Sequence, residues 1–268
     1  GPDGCLYLTD MYRGIIQDAA WFNEGNREFA RRTGVNKHIQ MGRIWRIRHK
    51  DHQPYGEKPR MLEESTEELV RHLQNPIGWW RDTAQKIILL RPDREKAIPL
   101  LEGLFRFTQG PLPRMHALWT LHGMEALTLE IKKEALSDRS PILRRAIVQM
   151  IETTLPDQLD LLVSLEKERD PRGTEQLVFT LGTIDDPKAE EMIQYLASNH
   201  LSDKGVMLAT TVSLWGKKHL PLVKEMQSKK AFAKITQSKK ASVNMEWNKA
   251  LTSWDRGMKF AKDFDVTH

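Results

Sequence analysis

The sequence predicts a mainly α-helical protein, an α-solenoid of stacked helix pairs with a short β segment at its N-terminus. Two observations lead to this fold class. Apolar helical segments recur about every 31 residues through the middle of the chain, and the recurrence aligns the small or apolar residues Ala84, Ala117, Ala146, Leu177 and Ala209. The chain also opens with turn residues and a β-prone run, GPDGCLYLTD, which does not fit a helix.

The first predicted region, residues 1–48, carries two strands. Pro2-Asp3-Gly4 has the composition of a turn, and the run that follows predicts a strand near residues 5–10. The stretch MGRIWRIRH alternates loosely between apolar and charged residues and predicts a second strand near residues 42–48. Because two strands do not make a stable sheet alone, we expect this region to need further strands, either from upstream of residue 1 or from another chain.

Residues 49–64 form a predicted linker, because two prolines, a glycine and many charges fall within a short span. The linker ends where a helix is predicted to begin. Ser65 followed by Glu68 three residues later is the capping-box pattern, and the apolar run LVRHL comes directly after it.

Residues 65–226 contain about five predicted helix pairs. An alanine at the same place in the second helix of a pair allows that helix to approach its neighbour closely, as a solenoid stack requires. Arg81 and Arg114 each lie three residues before the aligned alanine, a spacing that resembles short bacterial HEAT repeats. The remainder, 227–268, is predicted to be a basic C-terminal helical extension, since the stretch 217–240 holds eight lysines against one glutamate.

Composition places the chain among globular proteins with an ordinary core, at 40% hydrophobic and 29% charged residues. No apolar run approaches the roughly 18 residues that a membrane-spanning helix needs. Cys5 is the only cysteine, so no internal disulfide can form. The sequence therefore predicts no transmembrane segment, and its single cysteine leaves the compartment undecided.

No motif for catalysis, phosphate binding or metal binding occurs in the sequence, and we expect no cofactor and no metal in this chain. The tryptophans and arginines of the repeats have two interpretations. They are core and structural residues, or they form a partner-binding surface that could also stack bases and contact phosphates. The candidates for that surface are Trp79, Trp80, Arg81, Arg114, Trp119, Lys229, Lys230, Lys239 and Lys240.

Several motifs together resemble one known family. GPDGCLYLTDMYRGIIQ at the start, GRIWRI at 42–47, WWRDTAQ at 79–85 and HALWTL at 116–121 are similar to bacterial membrane-bound dehydrogenase-like proteins of planctomycetes and verrucomicrobia. In that family the end of a glucose/sorbosone dehydrogenase-like β-propeller is followed by HEAT repeats. The resemblance covers residues 1 to about 150, and beyond them it is only that of a generic repeat.

The resemblance implies that residues 1–48 are the remnant of a propeller blade and that the parent protein is periplasmic or secreted. A quinone, calcium or a c-type haem, on a cytochrome domain, could belong to that parent. Asp10, Tyr12 and Arg13 follow the blade strand and are the weak catalytic candidates, near a propeller pore. The alternative for them is structural, an ion pair of Asp10 with Arg13 at a blade turn.

The function we expect is that of a non-catalytic scaffold or interaction region of a propeller-type sugar or alcohol dehydrogenase-like protein, with a protein partner or the rest of the propeller bound to it. Two alternatives stay open. The chain could be an independent HEAT-like module that binds protein or, with less support from the sequence, nucleic acid. It could also be a subunit whose sheet is completed by another chain.

Overall fold

A computed structural model of the chain describes residues 1–12, 19–37, 40–53, 55–56, 58–154, 158–200, 202–214 and 264–267. The chain divides into two compact units, one formed by residues 1–59 with 243–268 and the other by residues 60–242. The division falls inside the segment 49–64 that the sequence predicts as a linker. The architecture is mainly helical with a small N-terminal antiparallel sheet, which confirms the predicted fold class.

The first unit contains a three-stranded antiparallel sheet in the order β1-β2-β3. Its strands are β1 (Leu6–Asp10), β2 (Arg43–His49) and β3 (Phe264–Thr267), and helix α1 (Glu24–Thr33) lies between β1 and β2 in the chain. The register places Leu6 opposite Ile47 and Leu8 opposite Trp45. Both predicted N-terminal strands are therefore confirmed.

The third strand corrects part of the sequence analysis. Phe264–Thr267 pairs with β2, although the whole range 227–268 was predicted to be a helical extension. A strand of four residues leaves no helical or alternating pattern long enough to recognise, and its pairing partner lies more than two hundred residues away. The rest of the predicted extension lies outside the described residues.

Local chemistry explains how the first unit starts and turns. Gly4 has a φ of 79°, in the left-handed region, and its N–H donates to the carbonyl of Gly1 at 3.0 Å. The Asp3 carboxylate accepts from the N–H of Cys5 at 3.1 Å, which closes the turn onto β1. Within the β1–β2 connection, Asn23 caps α1 because its side chain accepts from the N–H of Asn26.

The sheet leaves large apolar side chains open to solvent. Leu6 is 58% exposed and Ile44 is 61% exposed, and Tyr7 and Leu8 are also exposed. In the part of the chain that the structure describes, β2 is the one strand that pairs with β1, so the other edge of β1 has no strand partner there.

The second unit consists of ten helices, counted over its described residues. They are α2 (Thr66–His72), α3 (Gly78–Leu90), α4 (Ala97–Phe107), α5 (Pro111–Gly123), α6 (Leu129–Leu136), α7 (Pro141–Glu152), α8 (Leu159–Val163), α9 (Pro171–Leu181), α10 (Pro187–Ser198) and α11 (Lys204–Ser213). Helix α2 contacts α3, α4 contacts α5, α6 contacts α7, and α10 contacts both α9 and α11. Helices α3, α5, α7, α9 and α11 also contact one another in that sequence, so the unit is a helical-repeat stack.

The predicted alignment of the second helices coincides with the core. Ala84, Ala117, Ala146, Leu177 and Ala209 lie in α3, α5, α7, α9 and α11 respectively, and all five are buried. Four of the five are alanine, whose short side chain allows neighbouring helices to approach closely. Larger residues around them fill the remaining space.

Helix ends in this unit follow the signals in the sequence. The capping box predicted at Ser65 is present, since the Ser65 hydroxyl accepts from the Glu68 N–H and the Glu68 carboxylate accepts from the Ser65 N–H. Pro111, Pro141 and Pro171 are the first residues of α5, α7 and α9, a position where proline costs the helix no hydrogen bond. Among the described residues, each helix is too short or too polar to cross a bilayer.

Candidate functional site

Asp10, the first of the weak catalytic candidates, ends β1 and is held by three groups. Trp45 Nε1 donates to Asp10 Oδ2 at 3.1 Å, and the N–H of Tyr12 donates to Oδ1 at 2.8 Å. The guanidinium Nε of Arg43 lies 3.2 Å from Oδ2. The hydrogen bond from Trp45, followed by the one from the Tyr12 backbone, lowers the pKa of Asp10. An ionised carboxylate bound in this way stabilises the end of the strand.

Tyr12 and Arg43 complete this cluster. Tyr12 has a φ of 44°, and its ring lies under the Arg43 guanidinium at 4.3 Å, while the Trp45 ring lies 5.2 Å from the same group. Among the described residues Asp10 therefore pairs with Arg43. The alternative ion pair of Asp10 with Arg13 stays a prediction. Arg13 lies outside the described residues, and a catalytic role for Asp10, Tyr12 or Arg13 stays a prediction.

A second polar cluster in the first unit was not found from the sequence. The Asp3 carboxylate accepts from Arg46 Nε at 2.7 Å, from the Tyr7 hydroxyl at 3.0 Å and from the Cys5 N–H at 3.1 Å. Burial opposes ionisation of Asp3, but these hydrogen bonds outweigh it and lower its pKa to about 2. The cluster links the opening turn to β2. It could not be recognised from the sequence, where Asp3 is one acidic residue among many.

The tryptophans of the repeats occupy two environments. Trp80 is 1% exposed and packs against His72, with ring centroids 4.9 Å apart, and edge-to-face against Trp79 at 5.7 Å. Trp119 is half-buried and lies edge-to-face with His122 at 5.6 Å. Trp80 is therefore a core residue and lies out of reach of a partner, whereas Trp79 and Trp119 keep part of their surface open.

Arg81 and Arg114, the predicted partner-binding arginines, bind backbone and side chains within their own unit. Arg81 Nη1 donates to the carbonyl oxygens of Asn75 and Pro76 at 2.6 and 2.9 Å. Arg114 donates to the carbonyl of Phe105 at 2.7 Å and forms an ion pair with Asp138 of the next repeat. Arg81 thus fixes the loop before α3, and Arg114 links α4 to the loop between α6 and α7. Both side chains have a structural role.

Arg144 makes the most extensive contact of this kind. Its Nε and Nη2 donate to the two oxygens of Glu168 at 2.6 and 2.8 Å, and its Nη1 donates to the carbonyl of Asp138 at 2.7 Å. Glu168 also accepts from the backbone N–H groups of Arg169 and Asp170, both at 2.9 Å. Burial opposes the ionisation of Glu168, but the hydrogen bonds from Arg144 and Asp170 outweigh it, so its pKa lies below the ordinary value. Helix α7 is thus joined to the loop before α9 by a bidentate charged pair.

His116 is the most buried histidine with a polar partner. Its Nδ1 lies 2.7 Å from Gln85 Oε1 and its Nε2 lies 3.9 Å from an Asp82 oxygen. Burial lowers the pKa of the imidazole, against the smaller opposing effect of Asp82, so the ring is neutral near pH 7. Within the described ranges no three His, Cys, Asp or Glu side chains converge as a metal ion would require.

A groove of about 480 Å³ opens in the second unit at the N-terminal ends of neighbouring second helices. Pro141, Ile142 and Arg145 of α7 line one side, and Pro171 and Arg172 of α9 line the other. Asp170 and Asp203, which cap α9 and α11, also border the groove, and each accepts a hydrogen bond from its own helix, from the N–H groups of Gly173 and Val206. We call this surface, together with the loops that precede α7, α9 and α11, the loop edge.

The loop edge exposes basic side chains without ion pairs among the described residues, whereas the carboxylates nearest to them have partners. Asp138 pairs with Arg114 and Glu168 with Arg144, while Asp170 and Asp203 bind helix N–H groups. Five exposed basic side chains on the same loops and helix ends form no ion pair within the described part of the chain: Arg139, Arg145, Arg169, Arg172 and Lys204. The positive ends of three helix dipoles, those of α7, α9 and α11, add to this charge. This surface could not be recognised from the sequence, because its basic residues are spread over several loops and the pairing of the acids requires coordinates.

The remaining predicted contacts, Lys229, Lys230, Lys239 and Lys240, lie outside the described residues. Their part in binding a partner stays a prediction.

A family model matches the N-terminal part of the chain. The model of a domain of unknown function, DUF7133, matches residues 1–51, which include β1, α1 and β2. No curated protein matches the chain. The N-terminal part of the chain is thus similar to a domain that recurs in other proteins and that has no described function.

Proposed function

We propose that this chain is a scaffold region that binds a protein partner, within a larger propeller-type sugar or alcohol dehydrogenase-like protein. The second unit would supply the binding surface, and the strands of residues 1–48 would belong to a propeller blade. The stack would correspond to the HEAT repeats of the family that the sequence resembles.

One observation carries the proposal: five second helices stack in series, and two of them, α5 and α7, are tied to the next repeat by arginine ion pairs. Their loop edge keeps an open groove and basic side chains without ion pairs among the described residues. A stack of this kind holds its loops in fixed positions, because every repeat is packed against its neighbours. Fixed loops with unpaired charge suit the recognition of another polypeptide, since little order has to be imposed on the scaffold when it binds.

The first unit supports the other half of the proposal. Its outer strand β1 has one edge without a described strand partner and exposes Leu6, Tyr7 and Leu8. An apolar strand with an unpaired edge is stable when further strands cover it, as in a propeller blade. By the resemblance, a quinone, calcium or c-type haem would be held by other parts of such a protein, in the periplasm or outside the cell.

The size of the native protein tests this proposal. An antibody raised against the 268-residue chain should detect, in cells that make it, a polypeptide much heavier than 31.1 kDa. Sugar-dependent reduction of an artificial electron acceptor, with quinone and calcium added, should follow that longer polypeptide and should be absent from the 268-residue chain. A native polypeptide of about 31.1 kDa that binds no other protein would refute the proposal.

A second candidate rests on the same exposed strand. The chain could be a separate subunit whose sheet is completed by strands of another protein, which is the β-augmentation mode of binding. In that case the native polypeptide has the mass of the chain itself and co-purifies with a protein that contains the rest of the sheet. Substitution of Leu6 and Leu8 by Lys should then abolish co-purification, whereas the same change at the exposed Phe107 of α4 should not.

A further inference from the structure

We infer that the loop edge binds an acidic, extended segment of the partner protein, with acidic residues separated by apolar ones. The inference rests on the proposed scaffold function and specifies the chemistry of its partner. It is carried by the charge of the loop edge, the apolar lining of the groove and the spacing of the helices.

Charge complementarity gives the sign of the partner. Arg145 and Arg172 border the groove with no ion pair among the described residues, and Arg139, Arg169 and Lys204 extend the basic surface along neighbouring loops. Asp138 and Glu168 are paired with Arg114 and Arg144, whereas Asp170 and Asp203 cap helices and keep their charge. The five exposed bases outnumber these two carboxylates. An anionic ligand would form charged hydrogen bonds with guanidiniums that are otherwise only hydrated.

The apolar lining of the groove favours a peptide over a nucleic acid. Pro141, Pro171 and the half-exposed Ile142 offer apolar surface between the two arginines. A nucleic-acid backbone carries a charge at every residue, and it would pass the carboxylates of Asp170 and Asp203 as well as the bases. A peptide can place apolar side chains on the prolines and acidic side chains on the arginines, and it can avoid the carboxylates.

The spacing of the helices sets the length of the segment. Neighbouring packed helices lie about 8–10 Å apart, so the N-terminal ends of α7, α9 and α11 span about 16–20 Å. An extended chain advances about 3.3 Å per residue and covers that span with about six residues. The groove volume of about 480 Å³ is in the range of sites that bind small ligands or short peptide segments.

The test uses the full 268-residue chain and a fluorescein-labelled peptide of about eight residues with alternating Glu and Leu, a length that covers the span with a residue to spare at each end. Binding is measured by fluorescence anisotropy at low and at physiological salt. Two comparison probes are the same peptide with Gln in place of Glu and a single-stranded DNA of equal charge. The expected result is binding of the acidic peptide, weaker binding at higher salt, and at least about tenfold weaker binding of the Gln peptide and of the DNA.

Two charge-matched double variants locate the site. Arg145→Glu with Arg172→Glu should weaken peptide binding at least about tenfold. Lys86→Glu with Lys188→Glu changes the net charge equally at exposed positions of α3 and α10 that do not line the groove, and it should change binding less than about twofold. If the glutamate variant of the groove does not fold, as judged by circular dichroism, Arg145→Gln with Arg172→Gln takes its place, and the same ranking is expected.

Three results of the binding experiment would overturn the inference. They are the absence of acidic-peptide binding to the unaltered chain, an equal loss in both double variants, and DNA binding as tight as that of the peptide. The proposed scaffold function fails separately. If a native partner co-purifies equally well with the unaltered chain and with the groove variant, the scaffold function stands and the acidic-segment inference falls. If no partner co-purifies with the native protein, the scaffold function itself falls.

Discussion

Removal of the Arg144 side chain should destabilise the helical unit strongly, because it leaves Glu168 buried without its cation. The side chain of Glu168 is 2% exposed and accepts four hydrogen bonds, two from Arg144 and two from backbone N–H groups. Removal of one partner of a buried pair costs roughly 3–5 kcal/mol. Since the two backbone donors remain, we expect Arg144→Ala to lower the free energy of unfolding by about 3 kcal/mol, at the lower end of that range.

The destabilisation by Arg144→Ala should depend on pH, and the direction of that dependence follows from the pKa of Glu168. The pKa of Glu168 is lowered in the folded state, so the pair contributes stability above the unfolded pKa of about 4.3, and that contribution is lost as pH falls through the folded pKa. In Arg144→Ala the burial of Glu168 is no longer opposed by a cation, and the carboxyl can be protonated more easily. The stability difference between the two proteins should therefore be largest near pH 7 and should shrink below about pH 4.

Urea denaturation followed by circular dichroism at 222 nm measures this difference, since ten of the described helices belong to the second unit. Arg106→Ala is the matched control. Arg106 also pairs with glutamates, Glu102 and Glu134, but on the solvent side, where the loss should be much smaller. Equal losses in Arg144→Ala and Arg106→Ala, or a difference that does not shrink in acid, would refute the reasoning.

Three further predictions concern packing, titration and capping. Gly182→Ala should lower the free energy of unfolding by roughly 1–3 kcal/mol, because the added Cβ would lie 2.3 Å from the Ser213 hydroxyl. In the control Gly103→Ala the nearest atom would lie 4.0 Å from the added Cβ, so that variant should not be destabilised. Urea denaturation compares the two variants. Asp3 should titrate with a pKa of about 2 in an NMR experiment on side-chain carboxyls, and a value near 3.9 would contradict the hydrogen bonds assigned to it. Ser65→Ala should cost about 1 kcal/mol and Ser65→Asp much less, measured by urea denaturation, because aspartate also caps a helix.

Periodic and local signals made most of the helical unit predictable. The buried alignment of Ala84, Ala117, Ala146, Leu177 and Ala209 follows from a repeat that is written directly in the sequence. The start of α2 was equally predictable, because Ser65 and Glu68, three positions apart, form a capping box. Both kinds of signal depend on residues that are close in the chain, so no tertiary information is needed to recognise them.

Pairings between distant residues were not predictable. Arg114 was placed on a partner-binding surface from its position before the aligned alanine, yet it is paired with Asp138, and Arg144 is paired with Glu168. In both pairs the acid follows the arginine by 24 residues, a regularity that could have been noticed once the repeat was known. β3 was missed for the same physical reason, since its pairing with β2 joins segments at opposite ends of the sequence.

The charged pairs between repeats also explain why the loop edge is basic. A loop that holds an arginine, an aspartate and a free helix end would ordinarily be close to neutral, because exposed acids and bases offset one another. Here Asp138 and Glu168 are turned inward to bind Arg114 and Arg144 from the helices, so that their charge is used within the stack. The exposed Arg145 and Arg172 then line the groove together with Asp170 and Asp203 and form no ion pair among the described residues. The contacts that fix the repeats relative to one another thus leave basic side chains that a partner would meet.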